Sequence, residues 1–324
     1  MRSMIQKRRK NKRTVLAILD GPSYDFRKDT SHLILRELQK RGYRIFLTEI
    51  SHLSVVETKL LVSTRPSDVL DQPPYFSSST HEPSLVLEVA SFSMIFMRKD
   101  PPVDQAYLHA TQLLSLVEDR VPILNPPRAL REWNEKLVIL NFPQWIPKTL
   151  ISSDPEEIQR FVHLQKRNAI LKPLDGFAGR GVEKLQGRRL NTADLARSMT
   201  EKGQTPVMAQ EFLKAVESGE KRVFMIDGIP LGALLKIPQK NKFLANPDQG
   251  ASLAQTKLTK KEATLCREVG EFLKKQKVFF AGLDLIEEKL TEINITSPGL
   301  VWEWNEVDGQ SHEIEIVDAM EEVT

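Results

Sequence analysis

FFAGLDLIEEKLTEINITSP, residues 279–298, is the stretch that decides how this chain is interpreted. Its two apolar runs, 279–286 and 290–295, are rich in residues that favour strands, and the charged residues 287–289 separate them. This pattern is typical of a β-hairpin, although the turn lacks Asn-Gly. The chain is therefore expected to carry two antiparallel strands here.

Three polar side chains of this hairpin are predicted to share one face. A turn centred on Glu288 places Asp284 opposite Glu292, and side-chain alternation puts Asn294 on the same side. Two adjacent carboxylates repel each other unless a cation lies between them or one is protonated. Oxygen donors suit Mg²⁺, which leaves positions for substrate phosphates. The stretch alone leaves two interpretations open, a magnesium site beside a nucleotide or a solvated surface hairpin.

Composition indicates an ordinary globular protein. The chain has 324 residues, of which 40% are hydrophobic and 27% charged, enough for two or three domains. No apolar run approaches the roughly 20 residues that span a bilayer, and the N-terminus lacks the pattern of a secretory signal. A cytoplasmic protein without membrane contact is expected.

Cysteine and histidine usage narrows the chemistry. Cys266 is the single cysteine, which excludes an internal disulfide and a thiolate metal cluster. It falls on the apolar stripe of a helix opened by a Thr259–Glu262 capping box, so buried packing is predicted. The six histidines show no metal-ligand spacing, and no Ser or Cys triad signature is present.

The basic charge is concentrated at the N-terminus. Residues 1–13 hold seven Lys or Arg and no acid, so the formal charge of +3 falls to −4 without them. Such a tail can bind nucleic-acid phosphates. A disordered, solubilising extension is the preferred interpretation, and a nucleic-acid partner is not expected.

The first part of the chain has an α/β pattern. A strand at 14–20, a helix at 31–41 and a strand at 44–50 form a βαβ unit. Residues 63–84, with four prolines and six serines, predict an irregular connection.

A second strand–loop–helix–strand unit continues this pattern and predicts a doubly wound sheet. It consists of a strand at 93–97, a loop at 98–102, a helix at 104–119 and a strand at 121–124. Ligands bind at the carboxyl ends of such strands, which makes Arg98 and Asp100 candidate substrate contacts.

The second part changes to shorter α+β units. Residues 131–142, which contain Asn134-Glu135-Lys136, predict a helix, and we place a domain boundary near residue 145. The predicted division is a tail at 1–13, a first domain at 14–145 and a second at 146–324.

A glycine-rich segment follows the strand at 168–172. Residues 173–181, the flap, have three glycines in six residues, which lets backbone N–H groups surround phosphates. It matches neither a Walker loop nor a GxGxxG fingerprint. Lys172 and Lys136 are the cations expected to face the phosphates, with ordinary surface lysines as the alternative.

Two further segments complete the predicted site. Residues 206–213 read as a strand leading to a connector, where Gln210 could hold a base edge. Arg222 begins the next strand. Residues 236–256, the lid, are polar and too long for a turn, as in loops that cover active sites.

Together these segments resemble the ATP-grasp superfamily and, within it, prokaryotic glutathione synthetase, over residues 14–298. The matching motifs are RKDPP at 98–102, NEK at 134–136, ILKPLDG at 170–176, KRV at 221–223 and GLDLI…LTEINITSP at 282–298. The resemblance implies an N-terminal doubly wound, pre-ATP-grasp domain followed by a two-lobed α+β ATP-grasp domain.

The resemblance also implies roles for individual residues. The metal ligands would be Asp284, Glu292 and Asn294. The nucleotide contacts would be Lys136, Lys172, Gly176, Gly179, Gln210, Phe212, Leu213 and Glu220. Arg222 would steady the transferred phosphate, and Asn246 of the lid would contact substrate.

The implied reaction joins γ-glutamylcysteine to glycine through an acylphosphate. ATP and Mg²⁺, with Mn²⁺ as a second option, are the implied cofactors. Small peptides and amino acids are the implied partners, and a homo-oligomer is the implied assembly.

Departures from the family pattern lie where substrates would bind. Leu244 replaces an arginine of the lid, Pro247 interrupts its glycine-rich run, and Gly299 and Trp302 replace a threonine and an arginine. Losing two cations near carboxylate substrates changes recognition. A paralogous ligase for another peptide or protein, and an ATP-binding protein that has lost ligase activity, stay open as alternatives.

Overall fold

The computed structural model of the chain describes residues 13–21, 24–78, 84–186 and 192–324. Within these residues the strands form three sheets. The predicted basic tail lies outside the described residues except for Arg13, which forms an ion pair with Glu321 at 2.9 Å.

The first sheet has eight strands. They are β1 (Thr14–Ile18), β2 (Arg44–Thr48), β3 (Leu53–Val56), β4 (Lys59–Val69), β5 (Phe76–Ser78), β6 (Leu85–Glu88), β7 (Met94–Met97) and β8 (Ile123–Leu124). Their order is β3-β4-β2-β1-β7-β8, with β5 and β6 also paired to β4. The helices are α1 (Thr30–Lys40), α2 (Gln105–Leu114) and α3 (Pro127–Glu132). Because β1 is parallel to β2 and β7, and β7 to β8, the predicted doubly wound pattern is confirmed.

The predicted irregular connection at 63–84 is wrong over 63–69 and 76–78, where the larger part of β4 and all of β5 lie, and residues 79–83 of it lie outside the described residues. Alternate residues of β4 point into the core, with Leu60 and Val62 fully buried and Thr64 at 3% exposure. This period of two is the strand signal, and the prolines and serines obscured it. Pro66 sits in the ladder opposite Phe46.

The second and third sheets are antiparallel. The second contains β9 (Thr149–Ser152), β10 (Asn168–Pro173), β11 (Glu183–Gln186) and β12 (Val207–Glu211), in the order β11-β10-β12-β9, with helices α4 (Pro155–Leu164) and α5 (Thr192–Met199). The third contains β13 (Glu220–Ile226), β14 (Ile229–Ile237), β15 (Ser252–Gln255), β16 (Phe280–Ile286) and β17 (Lys289–Asn294), in the order β15-β14-β13-β16-β17. Its helices are α6 (Lys260–Lys275), α7 (Val301–Asp308) and α8 (His312–Val323).

The predicted hairpin is β16 and β17, and Asp284 pairs with Glu292 as expected. The turn itself is shorter than predicted, because Ile286 already pairs with Lys289. Glu287 and Glu288 both have positive φ, 48° and 61°, as a type I′ turn requires. A register shift between Asp284 and Leu285 then restores the predicted pairing.

Asn125 joins the first sheet to this hairpin. It follows β8 and is 4% exposed. Its Nδ2 donates to the carbonyl oxygens of Phe280 at 2.6 Å and Ile295 at 2.7 Å. Its Oδ1 accepts from the N–H groups of Phe279 at 2.9 Å and Phe280 at 2.8 Å. One side chain therefore satisfies four backbone groups of the hairpin.

The segment between the first two sheets lies along the free edge of β17. Leu290 N–H donates to the carbonyl of Trp145 at 2.8 Å, and Ile293 N–H donates to that of Glu135 at 3.0 Å. The Glu135 carboxylate also accepts from Ile295 N–H at 2.6 Å. These bonds fix the segment, which we call the edge segment (residues 133–145), against the hairpin.

The predicted helix over Asn134-Glu135-Lys136 is wrong. Helix α3 ends at Glu132, and the next helical turn begins at Val138. The Asn134 side chain accepts instead from the N–H groups of Lys136 at 3.0 Å and Leu137 at 3.1 Å. Short polar side chains compete with helix formation in this way.

Two smaller predictions have clear outcomes. The Thr259–Glu262 capping box opens α6, and Cys266 of that helix is fully buried, as predicted. Burial raises the pKa of its thiol to about 12, so it stays protonated. In the described part of the chain, no helix combines the length and apolar character needed to cross a bilayer.

Candidate active site

A cavity of about 360 Å³ is lined by the second and third sheets, the flap, the lid and the loop after β7. The predicted site residues that line it are Asp100, Lys136, Lys172, Gly176, Gly179, Gln210, Phe212, Leu213, Glu220, Arg222, Asn246, Asp284, Glu292 and Asn294. The fold thus brings together residues that lie up to 194 positions apart in the sequence.

Arg98 is the predicted site residue that does not line this cavity. It is 5% exposed, and it donates to Ser31 Oγ at 3.0 Å and to the Pro298 carbonyl at 2.9 Å. Burial lowers the pKa of its guanidinium, with nearby carboxylates opposing the shift. These contacts favour a role in fixing the Pro298 segment, and direct substrate contact by Arg98 stays a prediction.

Asp284 and Arg222 form the centre of the site. Arg222 binds the carboxylate with two parallel bonds of 2.9 Å, from Nε to Oδ1 and from Nη2 to Oδ2. Burial by itself raises the pKa of Asp284, but the charges of Arg222 and Lys236 outweigh it and hold the pKa well below the ordinary value. Gly282 allows this approach, because a Cβ there would lie 2.9 Å from Arg222 Cδ.

Lys236 is a site residue that the sequence analysis missed. Its Nζ lies 2.9 Å from Asp284 Oδ1 and 2.7 Å from Glu220 Oε1. Burial lowers the pKa of this ammonium, yet the two carboxylates outweigh burial and raise it. A lysine at the end of the apolar strand β14 was the available signal. Lys236 lies opposite Glu220 because the register of β13 and β14 shifts after Phe224, and the sequence pattern does not reveal this shift.

Lys136 carries the positive charge opposite Glu292. The two side chains lie 3.0 Å apart, and Lys136 also donates to the Gly176 carbonyl of the flap. The neighbouring Glu135 is held by Thr296, whose N–H and Oγ1 both donate to it at 2.9 Å. The Lys136 ammonium therefore reaches both the flap and the hairpin acids.

Lys172 and Gln210 lie side by side on β10 and β12. Lys172 Nζ donates to Gln210 Oε1 at 3.0 Å, and Gln210 Nε2 donates to Thr149 Oγ1 at 3.0 Å. Both ends of the Gln210 amide are therefore engaged, which favours positioning of Lys172 over contact with a base edge. Burial lowers the pKa of Lys172, although Glu292 and Glu220 oppose the shift.

Nucleotide binding in mildly alkaline buffer is expected to take up a proton at Lys172. Phosphate oxygens stabilise the ammonium and raise its lowered pKa on binding. Calorimetry in two buffers of different ionisation enthalpy measures this uptake, and Lys172→Met should remove it. Proton uptake that persists unchanged in that variant would contradict the assignment. In the absence of nucleotide, the lowered pKa of Lys172 also affects stability. Between that pKa and the ordinary one, the unfolded chain binds more protons at this lysine than the folded chain does, so the contribution of Lys172 to the free energy of unfolding rises with pH in this range.

The flap and the lid touch each other across the cavity mouth. The Ala178 carbonyl of the flap accepts from Asn246 Nδ2 at 3.0 Å and Gln249 Nε2 at 3.2 Å. Gly179 has φ of +74°, a conformation that glycine adopts without strain. A Cβ at Gly179 would lie 3.3 Å from Gln249 Nε2 and 3.4 Å from Leu244 Cδ2, both at the ends of flexible lid side chains. The backbone conformation is therefore the main reason for glycine at this position of the flap.

The connector after β12 contributes an aromatic wall. Phe212 is 5% exposed, and its ring lies 3.7 Å from Lys184 Nζ. Phe243 of the lid meets Phe212 edge to face, with centroids 6.1 Å apart. Leu213 lines the cavity beside them. Neither Lys184 nor Phe243 was predicted, since single residues in these segments carry no distinctive spacing.

The donor set of Asp284, Glu292 and Asn294 fits a hard divalent cation, because every donor is an oxygen. Among the described residues, no group of three or more His, Cys, Asp or Glu is arranged to hold a metal ion, and this trio contains only two acids. In the structure Lys136, Arg222 and Lys236 neutralise those acids. A metal would bind only after some of these contacts rearrange.

Two family models match consecutive parts of the chain. Residues 15–131 match the prokaryotic glutathione synthetase N-terminal domain, and residues 135–309 match its ATP-grasp domain. This chain belongs to the prokaryotic glutathione synthetase family. It is accordingly an enzyme of the ATP-grasp ligase type, and ATP and a divalent metal are the cofactors that the family uses.

Curated relatives agree with this membership. The chain is 35% identical to the glutathione synthetase of Thermosynechococcus vestitus over 298 residues, which cover 89% of this chain and 92% of that one. It is 34% identical to the glutathione synthetase of Buchnera aphidicola over 311 residues, covering 94% and 95%.

Solved structures show the same fold at lower identity. D-cycloserine synthetase DcsG aligns with a TM-score of 0.63 at 12% identity, covering 95% of this chain and 99% of that one. The macrocyclase MdnC from Microcystis aeruginosa aligns with 0.62 at 16% identity, covering 95% and 98%.

Proposed function

We propose that this member of the family joins γ-glutamylcysteine to glycine at the expense of ATP. The proposal is supported by family membership and by the cavity that combines the flap with Lys136, Lys172 and Arg222. The cysteine carboxylate would attack the γ-phosphorus of ATP, and ADP would leave. The glycine amine would then attack the acyl carbon of the acylphosphate, lose a proton and release phosphate.

The chain's own residues account for the demands of these steps. The transferred phosphoryl group carries negative charge throughout, and Arg222, Lys136 and Lys172 place three cations at the cavity. A divalent cation, Mg²⁺ or Mn²⁺, held by Asp284, Glu292 and Asn294 would supply further charge neutralisation. No protein nucleophile is required.

The contact between the flap and the lid would shield the intermediate from water. An acylphosphate is readily hydrolysed, so the site has to exclude water between the two steps. The bonds from Asn246 and Gln249 to Ala178 hold the lid against the flap over the cavity. Glycine would have to enter before this contact forms or through its opening.

One observation favours a second candidate, a ligase of this family that uses a different amine. Leu244, Pro247 and Gly299 line the cavity, and nothing lies within 4 Å of a Cβ built on Gly299. These positions offer space and apolar surface. Such surroundings suit a larger, uncharged amine better than glycine, which carries a carboxylate. Trp302, the other departure, does not line the cavity.

A matched acceptor panel separates the two candidates. With ATP, Mg²⁺ and γ-glutamylcysteine, glycine is expected to give ADP release at least 10-fold faster than glycinamide or larger amines, because recognition of its carboxylate lowers the barrier by about 1.4 kcal/mol or more. Hydroxylamine serves as a control, since it traps the acylphosphate without acceptor binding. If hydroxamate forms but another amine reacts faster than glycine, that amine replaces glycine as the acceptor. If no hydroxamate forms, γ-glutamylcysteine is not the donor.

We also propose that the reaction takes place in the cytoplasm, where ATP is available, and that the protein is a homo-oligomer. Light scattering of the purified chain measures the second point directly.

A further inference from the structure

Lys236 connects two acids that belong to different parts of the site. Glu220 lies at the start of β13, and Asp284 lies on β16, on the other side of that strand from β14. The Lys236 ammonium contacts both, at 2.7 Å and 2.9 Å, and the residue is only 5% exposed. It is the direct side-chain link between the two acids among the described residues.

The hydrogen-bonding capacity of Asp284 is filled in this arrangement. Its Oδ1 accepts from Arg222 Nε and Lys236 Nζ, each at 2.9 Å. Its Oδ2 accepts from Arg222 Nη2 at 2.9 Å and Asn294 Nδ2 at 3.1 Å. A carboxylate oxygen has two lone pairs, so a cation reaches Asp284 only when a donor leaves.

Of the two charged donors, Lys236 is the better suited to leave. Arg222 holds Asp284 by two parallel bonds, the stronger geometry, whereas the ammonium of Lys236 is a single charge on a flexible stem. Phosphate oxygens entering the cavity offer that ammonium alternative acceptors. Departure of Lys236 then uncovers a lone pair of Asp284 and also frees Glu220.

We propose that Lys236 makes nucleotide binding and divalent-metal binding depend on each other, by occupying Asp284 and Glu220 until a polyphosphate draws it away. This inference rests on the proposed nucleotide site and adds its regulation. Coupling between two ligands is reciprocal. The nucleotide must therefore raise metal affinity by the same factor as the metal raises nucleotide affinity.

Direct Mn²⁺ titration followed by electron paramagnetic resonance tests the proposal without any turnover. Wild-type protein is titrated alone and with AMPPNP, a non-hydrolysable ATP analogue, and the Mn²⁺ that AMPPNP binds without protein is measured separately and subtracted. AMPPNP is expected to tighten Mn²⁺ binding about 50-fold, within the usual range for coupled sites. In Lys236→Met, Mn²⁺ alone is expected to bind about 10-fold more tightly, and the AMPPNP effect should fall to about 5-fold.

Two further variants control for loss of structure. Lys221→Met removes the lysine that follows Glu220 on β13. The Nζ of Lys221 pairs with Glu262 at 2.7 Å, so this variant should retain the wild-type coupling. Lys236→Ala removes both the charge and the donor with a smaller side chain, and it replaces Lys236→Met if the latter fails to fold. Unchanged coupling in the Lys236 variant that folds would overturn the proposal.

The failure of this proposal can be told apart from failure of the proposed function. If AMPPNP binds wild-type protein tightly but leaves Mn²⁺ affinity unchanged, only the role of Lys236 is overturned. If AMPPNP does not bind, the nucleotide site and the coupling are both overturned.

Discussion

Asp284→Asn is expected to lower ligase turnover about 1,000-fold, the upper end of the loss seen when one group that stabilises a transition state electrostatically is removed. The carboxylate is the predicted metal ligand and the partner of Arg222 and Lys236. With an amide in its place, the metal loses a charged donor and Arg222 loses the acid that orients it. Steady-state ADP release, measured at saturating ATP, checks this expectation.

The same substitution is expected to destabilise the fold by roughly 3–5 kcal/mol, because it leaves two buried cations without their charged partner. The side chains of Asp284, Arg222 and Lys236 are all at most 10% exposed. Urea unfolding measures the loss, and the activity assay then has to be run where the variant is folded.

Glu292→Gln is the matched comparison. Its side chain is 25% exposed and pairs with Lys136 alone among the ion pairs described, so stability should change by about 1 kcal/mol or less. Turnover should still fall strongly, since a second metal donor loses its charge. Turnover within about 10-fold of wild type in both variants would show that these acids do not hold the metal.

Asn125→Ala is expected to cost roughly 3–5 kcal/mol of unfolding free energy, although it changes a side chain outside the cavity. Its amide satisfies two carbonyls and two N–H groups of the β16–β17 segment. Each buried backbone group left unpaired costs about 1–3 kcal/mol. A water molecule that fills the space left by the side chain would pair with some of the four groups and reduce the total. Denaturant unfolding, with the m-value checked for two-state behaviour, gives the loss.

Asn141→Ala is the control for Asn125. Asn141 is exposed, and its side chain donates only to the Val138 carbonyl three residues earlier, at 2.9 Å. Surface changes of this kind usually stay within about 0.5 kcal/mol. Equal losses in the two variants would mean that the four bonds of Asn125 contribute little beyond a local turn.

Local patterns in the sequence predicted much of the fold. Apolar runs predicted β1, β7 and β16, and a capping box predicted the start of α6. The pairing of Asp284 with Glu292 was also predicted, although the short turn and the register shift that produce it were not. The short turn moved the pairing by one residue and the register shift moved it back, so the predicted partner of Asp284 was correct.

The missed features depend on contacts between distant segments. Lys236 reaches Asp284 only because a register shift in β13–β14 moves it opposite Glu220. Asn125 looks like an ordinary loop residue until β16 lies beside it. The Asn134 side chain accepts from the Lys136 N–H and so favours a turn over a helix. The spacing of apolar residues does not reveal such a bond. The roles assigned to single site residues and the boundary near residue 145 stay predictions.

The edge segment has a consequence for dividing this protein. It covers the outer side of β17, bonding the N–H groups of Leu290 and Ile293 through the carbonyls of Trp145 and Glu135. A fragment that starts at residue 146 would present that strand as an open, apolar edge. Open edges of this kind recruit other chains and promote aggregation. A soluble ATP-grasp fragment would therefore have to begin upstream of the edge segment.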